Sequence, residues 1–256
     1  MSIYKGNIEI NNIYVGTTQI SNAYIGSSQI YGGGSVSVDG VMFTARQSNS
    51  TVGLAKLSPN QTIEYSYDGN NWNSMTTTTT ITLTNIGDSF YVRGVLSGSN
   101  SGSNYTQFKM TGNIKASGNI NYLWDKDNPD TALRFYCGYA LFSGCTALTD
   151  VVDLELPATT LNNYCYMAMF RGCRSLTSAP VLPATTLNNF CYAQMFNGCT
   201  NLNYIKCLAT NISANGCTTN WVSGVAQSGT FVKNPSMTGW SRGTEGIPTN
   251  WTITDA

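Results

Sequence analysis

The sequence of 256 residues contains no histidine and few charged residues of either sign. The absence of histidine excludes Ser-His-Asp and Cys-His catalysis and every metal site that needs an imidazole ligand. Charged residues make up only 10% of the chain, with 13 basic and 13 acidic side chains. We therefore expect no nucleic acid as a partner and no polybasic membrane anchor, since both need a cluster of positive charge.

Other common signals are also missing. There is no run of about 18 apolar residues, so no membrane span is expected. The N-terminal sequence MSIYKGNIEI has no apolar core and no small-residue cleavage site, which argues against export as a Sec substrate. Neither a GxxxxGK[ST] motif nor a strand-borne GxGxxG is present, and we expect no cofactor.

What the sequence does contain is a repeated phrase between residues 137 and 225. The copies CGYALFSGC, CYMAMFRGC, CYAQMFNGC and the divergent CTTNWVSGV are spaced at intervals of 28, 26 and 26 residues. A near-constant period of roughly 20 to 50 residues is typical of a solenoid, whose stacked coils share one core. We expect one parallel strand per coil after each copy, and a short helix or 3₁₀ turn within CYxxMFxG.

Two longer phrases, MFxGCxxLTxAPxLPATTLxxxCY and GTFVKN…W…GIPxxWT, carry a resemblance to a known family. They resemble the BspA-type leucine-rich repeats of proteins from gut Bacteroidales and their phages, from about residue 137 to near the C-terminus. The chain departs from the family in having three full copies and a degenerate fourth. The resemblance implies a leucine-rich-repeat fold with a recognition or adhesion surface and no catalysis, and it names no ligand.

The eight cysteines follow the repeat, with the exception of Cys207. The equivalent position of leucine-rich repeats is usually buried, and free cysteine packs as a small apolar side chain, so we expect columns of free thiols. Disulfides between coils are the alternative. Zinc is not expected, because Cys137 and Cys145 are eight residues apart, too far for a C-x₂₋₄-C hook, and no histidine could complete a mixed site.

A second, finer repeat occupies residues 3 to 32, where IYKGNIEINN, IYVGTTQISN and AYIGSSQIYG follow one another with a period of ten. Each decad predicts a small hairpin, and an isolated hairpin is marginally stable and needs a partner. The decads resemble attachment segments of phage structural proteins, which implies docking to a virion. The alternative is that they cover a β edge of the next domain. The side chains expected to dock are Tyr4, Ile10, Tyr14, Ile20, Tyr24 and Ile30.

We predict three regions: an attachment segment (1–33), a β domain (34–112) and the repeat domain with its caps (113–256). Gly32-Gly33-Gly34-Ser35 marks the first boundary, as a flexible hinge or a tight joint. Phe43 and Trp72 are the expected core anchors of the β domain, with a surface position left open for Trp72 because it lies in the turn NNW. Seven short strands predict a β-sandwich of immunoglobulin-like architecture: SVSVDG, VMFTARQ, TVGLAKL, TIEYSYD, TITLTNI, SFYVRGVL and TQFKMTG.

Residues 113 to 136 are expected to cap the first coil, because terminal coils need an atypical edge. Asp125 and Asp127 have the 1-3 spacing of a calcium loop, but Pro129 stands at the fifth position and the required Gly and distal Glu are missing. We therefore expect a solvated loop and no metal. The residues expected to close the core at the other end are Trp240, Ile247, Pro248 and Trp251.

Acidic side chains in the first coil give the strongest case for an enzyme. Two carboxylates suffice for a glycosidase, and Asp153 and Glu155 would share one face of a strand. The aligned positions of the next two coils carry no carboxylate, and acidic side chains on a strand are ordinarily solvated. We therefore expect that the protein is not an enzyme.

Three functions are compatible with these features. The favoured one is a phage virion structural protein (fibre, spike or decoration subunit) at the virion surface. Its N-terminal segment would dock on other virion proteins, and its repeats would bind a host surface protein or glycan. The alternatives are a bacterial cell-surface or secreted adhesin, which the missing export signal disfavours, and an interaction scaffold without an adhesive role. By analogy with phage fibres we expect a homo-oligomer.

Ligand binding is expected where residues vary between coils, and at exposed aromatic and arginine side chains, the usual hot-spot types. For Tyr166 and Tyr192, packing between coils is equally compatible with their alignment. The predicted binding residues are Tyr166, Arg171, Arg174, Tyr192, Gln194, Asn197 and Tyr204.

Overall fold

The computed structural model describes residues 39 to 96, 103 to 130 and 133 to 256, and the backbone of six short strands before residue 33. The chain forms two compact units, Met1–Val38 and Asp39–Ala256. The described secondary structure is mainly β, as predicted, with a single one-turn helix among the described residues. Residues 33 to 35 of the predicted hinge lie outside the described residues.

The six strands of the first unit form three hairpins, one per decad. Tyr4 lies opposite Glu9, Tyr14 opposite Gln19 and Tyr24 opposite Gln29. The three hairpins share this pairing, and the third departs from the other two beyond it, where the register shifts between Ala23 and Tyr24. The predicted hairpins are confirmed, whereas the side chains predicted to dock lie outside what the structure describes. The antiparallel pairs are β1 (Ile3–Lys5) with β2 (Ile8–Ile10), β3 (Ile13–Val15) with β4 (Thr18–Ile20), and β5 (Asn22–Ile25) with β6 (Ser28–Gly32).

The second unit begins with a set of mostly antiparallel strands, which we call the strand region (residues 39 to 112). Buried and partly exposed residues alternate along its strands because successive side chains point to opposite faces. The strands are β7 (Val41–Ala45), β8 (Ser50–Lys56), β9 (Thr62–Ser66), β10 (Asn73–Met75), β11 (Thr80–Leu83), β12 (Ser89–Val95) and β13 (Gln107–Thr111).

Six of the seven predicted strands are present in this region. The first, SVSVDG, falls largely outside the described residues. Strand β10 was not predicted, because its three residues follow the NNW turn and carry no apolar alternation. The strands lie in two sheets, one with the order β11-β8-β13 and the other containing β10-β9-β12-β7.

Phe43 is the centre of the strand-region core, as predicted. It is fully buried and packs against Phe90 and Phe108, with ring centroids 5.7 and 5.1 Å apart. Trp72 is not a core anchor. It lies half-buried at the surface with the guanidinium of Arg93 3.9 Å above its ring, because the turn around it keeps the indole outside the sheets.

Residues 113 to 130 join the strand region to the repeats. Strand β14 (Ile114–Asn119) pairs antiparallel with β7 on one side and parallel with β15 (Leu148–Asp150) and β16 (Leu154–Glu155) on the other. A single helical turn, α1 (Asn121–Trp124), follows it. The first coil is therefore hydrogen-bonded to a strand that also belongs to the larger sheet of the strand region.

The repeats form coils that stack on one another, and we call residues 137 to 225 the stacked coils. The predicted strand per coil is present in the third as β17 (Tyr204–Cys207) and in the first as the two short strands β15 and β16. The second coil has only isolated bridges, at Ser178, Leu182 and Thr186. Pro180 and Pro183 interrupt that segment, and proline has no backbone N–H to donate to a ladder.

The predicted helix or 3₁₀ turn in CYxxMFxG is wrong. In the second copy, alternate backbone N–H groups donate within a tight turn and then to the next coil: Met169 donates to Tyr166 (3.1 Å), and Phe170 donates to Met195 (3.0 Å). The third residues of several of these turns have positive φ, as at Tyr166 (φ 62°) and Ala168 (φ 55°), which is typical of type II turns. Inter-coil hydrogen bonds thus replace the helical i→i−4 pattern.

One column of phenylalanine rings runs through the core. Phe142, Phe170 and Phe196 are fully buried and stack face to face at 5.5 and 5.7 Å. Phe108 of β13 stacks on Phe142 at 5.5 Å, so the strand region and the stacked coils share one continuous core. We call Phe142, Phe170 and Phe196 the inner phenylalanine column.

At the C-terminal end, strands β18 (Thr230–Lys233) and β19 (Thr252–Asp255) extend the parallel pairing that begins with β17. The predicted closing residues Ile247 and Trp251 are buried. Trp240 is partly exposed and stacks on buried Trp221 at 5.5 Å. Pro248 is partly exposed, and its carbonyl oxygen accepts hydrogen bonds from Trp251 and Arg242.

Candidate functional site

The stacked coils place equivalent side chains in columns, some buried and some facing solvent. Ala168, Met169 and Phe170 are consecutive and all buried, so a strand period of two does not describe which side chains face outward. The burial pattern follows from the chain of turns and from the hydrogen bonds between coils. Outward positions recur at the residue before the first cysteine and at the residues on either side of the Gly-Cys pair.

A glycine at the end of each turn segment keeps this surface regular. Gly172 has φ 72° and Gly198 has φ 75°, in the left-handed region that glycine adopts without steric cost. A Cβ at Gly172 would meet nothing closer than 3.8 Å, so backbone conformation, and not space, requires glycine here. Its N–H donates to the carbonyl of Asn197 in the next coil (2.8 Å).

All eight cysteines are buried free thiols, so the structure contains the expected free thiols and not the alternative disulfides. The thiols of Cys173 and Cys199 donate to the carbonyls of Phe142 and Phe170 of the preceding coil, both at 3.0 Å. Burial raises the pKa of Cys145, Cys191, Cys199 and Cys207 to about 12. These thiols therefore stay protonated at neutral pH and serve as small core side chains that also link neighbouring coils.

Tyr166 and Tyr192, two of the predicted binding residues, are not on the surface. Each is 1% exposed, and burial raises the pKa of each phenol well above its ordinary value. The alternative that they pack between coils is the correct one. No ligand can reach them without opening the core.

The other predicted binding residues are accessible but lie on two parts of the coils. Arg171 and Arg174 are exposed, and Gln194 and Asn197 are partly exposed. Arg171 and Asn197 occupy equivalent positions in adjacent coils, each directly before a glycine, and the Asn197 carbonyl accepts the hydrogen bond from Gly172 described above. Tyr204 is 37% exposed on β17 and belongs to the strand side of its coil.

The sequence reasoning missed an aromatic column at the position directly before the first cysteine. The rings of Tyr136 and Tyr164 stack at 4.4 Å, and those of Tyr164 and Phe190 at 5.2 Å, both nearly parallel. All three are partly exposed. The signal was present in the alignment of these three positions, but Tyr166 and Tyr192, two residues later in their copies, also align. We call Tyr136, Tyr164 and Phe190 the outer aromatic column.

Asp153 and Glu155 line a shallow groove between the first two coils. The groove has a volume of about 420 Å³, and its walls include the exposed Val152 and Val181 and the two prolines Pro157 and Pro183. The ammonium group of Lys115 contacts the Asp153 carboxylate and lies 3.9 Å from that of Asp150. The Asp153 carboxylate is thus engaged in an ion pair.

Asp125, the first residue of the candidate calcium spacing, is occupied by its own loop. Its carboxylate accepts hydrogen bonds from the backbone N–H groups of Asp127 (3.1 Å) and Asn128 (3.0 Å). In the part of the chain that the structure describes, no group of three or more acidic or thiol side chains converges on a common point suited to a metal ion.

Comparisons with known proteins add no family or function. No protein-family model, no curated protein and no solved structure matches this chain. Of the described residues, none belong to a helix with the length and apolar character needed to cross a membrane.

Proposed function

We propose that this chain is a phage virion structural protein, a fibre, spike or decoration subunit that attaches through its N-terminal decads and presents its repeats to the host. In this proposal residues 113 to 256 are a short leucine-rich-repeat array of the BspA type. Residues 34 to 112 form an immunoglobulin-like sandwich that serves as a spacer. The proposal includes no catalytic step.

The observation that carries the proposal is that, within each coil, the buried residues hold the stack together while other side chains face outward. Buried columns and backbone hydrogen bonds hold neighbouring coils together, as at Phe170 and Met195 (3.0 Å). The outward positions of the same turns take part in this contact only through their backbone, as at the carbonyl of Asn197. Their side chains are therefore free to differ from coil to coil, as they do at Arg171 and Asn197. A stack built in this way suits recognition, because its surface can change without loss of its core.

The three hairpins of the N-terminal unit support an attachment role. They share the pairing of Tyr4, Tyr14 and Tyr24 with the opposite strand, and a two-stranded hairpin needs further packing to be stable. Three equivalent hairpins in series would offer three equivalent docking elements to a particle or to other subunits. The homo-oligomer that we propose would multiply these elements.

The test is a deletion of residues 1 to 33, with mass spectrometry of purified virions as the readout. The full chain is expected in the virions, and the truncated chain is expected to remain folded and soluble but absent from them. Circular dichroism of the truncated protein checks its folding. Equal incorporation of both chains would disprove N-terminal docking, and peptides found only in the outer membrane of the producing bacterium would favour the adhesin alternative.

A further inference from the structure

The charge of the repeats is distributed unevenly. Between Glu155 and Glu245 the sequence contains no Asp or Glu, whereas it contains five basic residues: Arg171, Arg174, Lys206, Lys233 and Arg242. The stretch from residue 156 to residue 244 therefore carries a net charge of +5, although the chain as a whole is neutral.

Two of the five basic side chains have structural partners. Lys233 forms an ion pair with Asp255 (2.6 Å). Arg242 donates to the carbonyl oxygens of Pro248 (3.0 Å) and Trp251 (2.7 Å) and holds the C-terminal segment in place. Arg171 and Arg174 differ, because both are exposed and neither forms an ion pair with a carboxylate of the described residues.

The surroundings of the two arginines are polar and uncharged. Arg171 lies between Ser143 and Asn197 in its column, and Arg174 lies between Thr146 and Thr200. Ring centroids of adjacent coils are 4.4 to 5.7 Å apart in the two aromatic columns, so these side chains form a grid of closely spaced hydrogen-bonding groups. We call the six residues the arginine surface: Ser143, Thr146, Arg171, Arg174, Asn197 and Thr200.

Guanidinium groups prefer carboxylate, sulfate or phosphate oxygens, to which they donate paired, charge-assisted hydrogen bonds. Hydroxyl and amide side chains around them suit the hydroxyl groups of a sugar, since each can donate and accept. Protein interfaces instead have an apolar and aromatic centre. The exposed large apolar side chains of the described residues, among them Phe135, Val152 and Tyr204, lie outside this grid.

We propose that the arginine surface binds an acidic glycan, with Arg171 and Arg174 holding its anionic groups and the neighbouring hydroxyl and amide side chains holding its sugar hydroxyls. This inference rests on the proposed function, because it names the class of ligand that the recognition surface takes. The anionic group is a uronate carboxylate or a sulfate or phosphate ester, which present similar oxygens to a guanidinium.

The test is binding of the purified full chain to immobilised polymers of defined charge. Alginate supplies carboxylates, dextran sulfate supplies sulfate esters, dextran is the neutral glycan, and polyglutamate is an acidic polymer without sugar. We expect binding to alginate or dextran sulfate, much weaker binding to dextran and polyglutamate, and a loss of affinity between about 50 and 200 mM salt because the contacts are electrostatic.

Arg171→Gln and Arg174→Gln are the informative variants, with Lys109→Gln as the matched control. Lys109 is an exposed cation of the strand region, so its removal changes net charge equally but leaves the arginine surface intact. Each arginine variant is expected to bind about tenfold more weakly, and the double variant more weakly still, while Lys109→Gln binds as the original chain does. Both arginines are exposed, so melting temperatures should remain within a few degrees.

The proposal is overturned if the double variant binds the acidic glycans as tightly as the original chain, or if dextran or polyglutamate binds equally well. It is also overturned if no polymer binds. These outcomes are independent of virion incorporation. If the chain is found in virions but binds no acidic glycan, the proposed function stands and only this ligand class is wrong. If the chain binds acidic glycans but is absent from virions, the ligand class stands and the virion function is wrong.

Discussion

The strand region and the stacked coils satisfy their backbone hydrogen-bonding groups in different ways. In the strand region, antiparallel neighbours such as β7 and β12 exchange hydrogen bonds along five- and seven-residue strands. In the turn segments of the coils, alternate N–H groups bond within a turn and to the adjacent coil. Every described strand of the repeats has four residues or fewer.

This difference determines which side chains of each region can be substituted without loss of the fold. A side chain of the strand region faces either the core or solvent according to a period of two. In the coils, buried thiols, stacked rings and inter-coil backbone hydrogen bonds hold the structure, and polar side chains at outward positions, such as those of Arg171 and Asn197, are not needed for it. The lesson is that regular secondary structure is not required for a rigid surface when repeated coils hydrogen-bond to each other.

Alkaline pH should distinguish the two regions most strongly, because residues 39 to 112 contain no cysteine. Four coil thiols have a pKa raised to about 12 by burial, against about 8.5 for an unfolded thiol. Their contribution to stability is fully present below about pH 8.5 and is lost as the pH rises towards 12. We expect the free energy of unfolding to fall by about 5 kcal/mol per pH unit above pH 9.

Urea unfolding in reducing buffer from pH 7 to 11 measures this slope. Cys207→Ala removes one of the four thiols, so the slope should become shallower by about one proton, whatever the variant costs at neutral pH. A free energy of unfolding that stays constant between pH 8 and 10 would contradict the assignment of these thiols to the core.

Phe170→Ala compares an inner column with an outer one. Phe170 is fully buried between Phe142 and Phe196, so its truncation should cost about 3–5 kcal/mol. Phe190→Ala, in the outer aromatic column, removes the same side chain from a partly exposed site and should cost about 1 kcal/mol. Chemical unfolding monitored by circular dichroism provides both values. Equal losses would mean that the outer column is also part of the core.

Gly172→Ala has the smallest expected effect and tests the turn geometry. No atom obstructs a new Cβ, so the cost comes from the left-handed backbone alone and should be about 1 kcal/mol. Gly239→Ala is the control, since Gly239 is exposed and is not among the residues with positive φ. Thermal unfolding of both variants measures the difference, and an unaffected Gly172→Ala would argue against the type II turns.

Several elements were predictable because their signals are local. The decads predicted their own hairpins, since each hairpin pairs two strands that are adjacent in the sequence. Phe43 was identified as a core residue from strand alternation. By contrast, the second coil lacks its predicted strand because Pro180 and Pro183 lie where its backbone would pair with the third coil. That pairing joins residues far apart in the sequence, so local patterns do not reveal it.

The candidate site was predicted in part for the same reason. Arg171, Arg174 and Asn197 were identified correctly as accessible, because they vary while their neighbours repeat. Tyr166 and Tyr192 were placed wrongly and the outer aromatic column was missed. Tyr164 and Tyr166 are both tyrosines within one turn segment, and only the packing of coils on each other decides that Tyr166 is buried and Tyr164 partly exposed.

The sequence by itself determined the repeat spacing, the cysteine register and the hairpins, because each depends on residues close together in the chain. Tertiary structure decided which residues of each turn face solvent and how the array begins. Phe108 from β13 stacks on Phe142 and continues the inner phenylalanine column into the strand region. That contact joins residues 34 positions apart, so it arises only when the strand region and the first coil pack together.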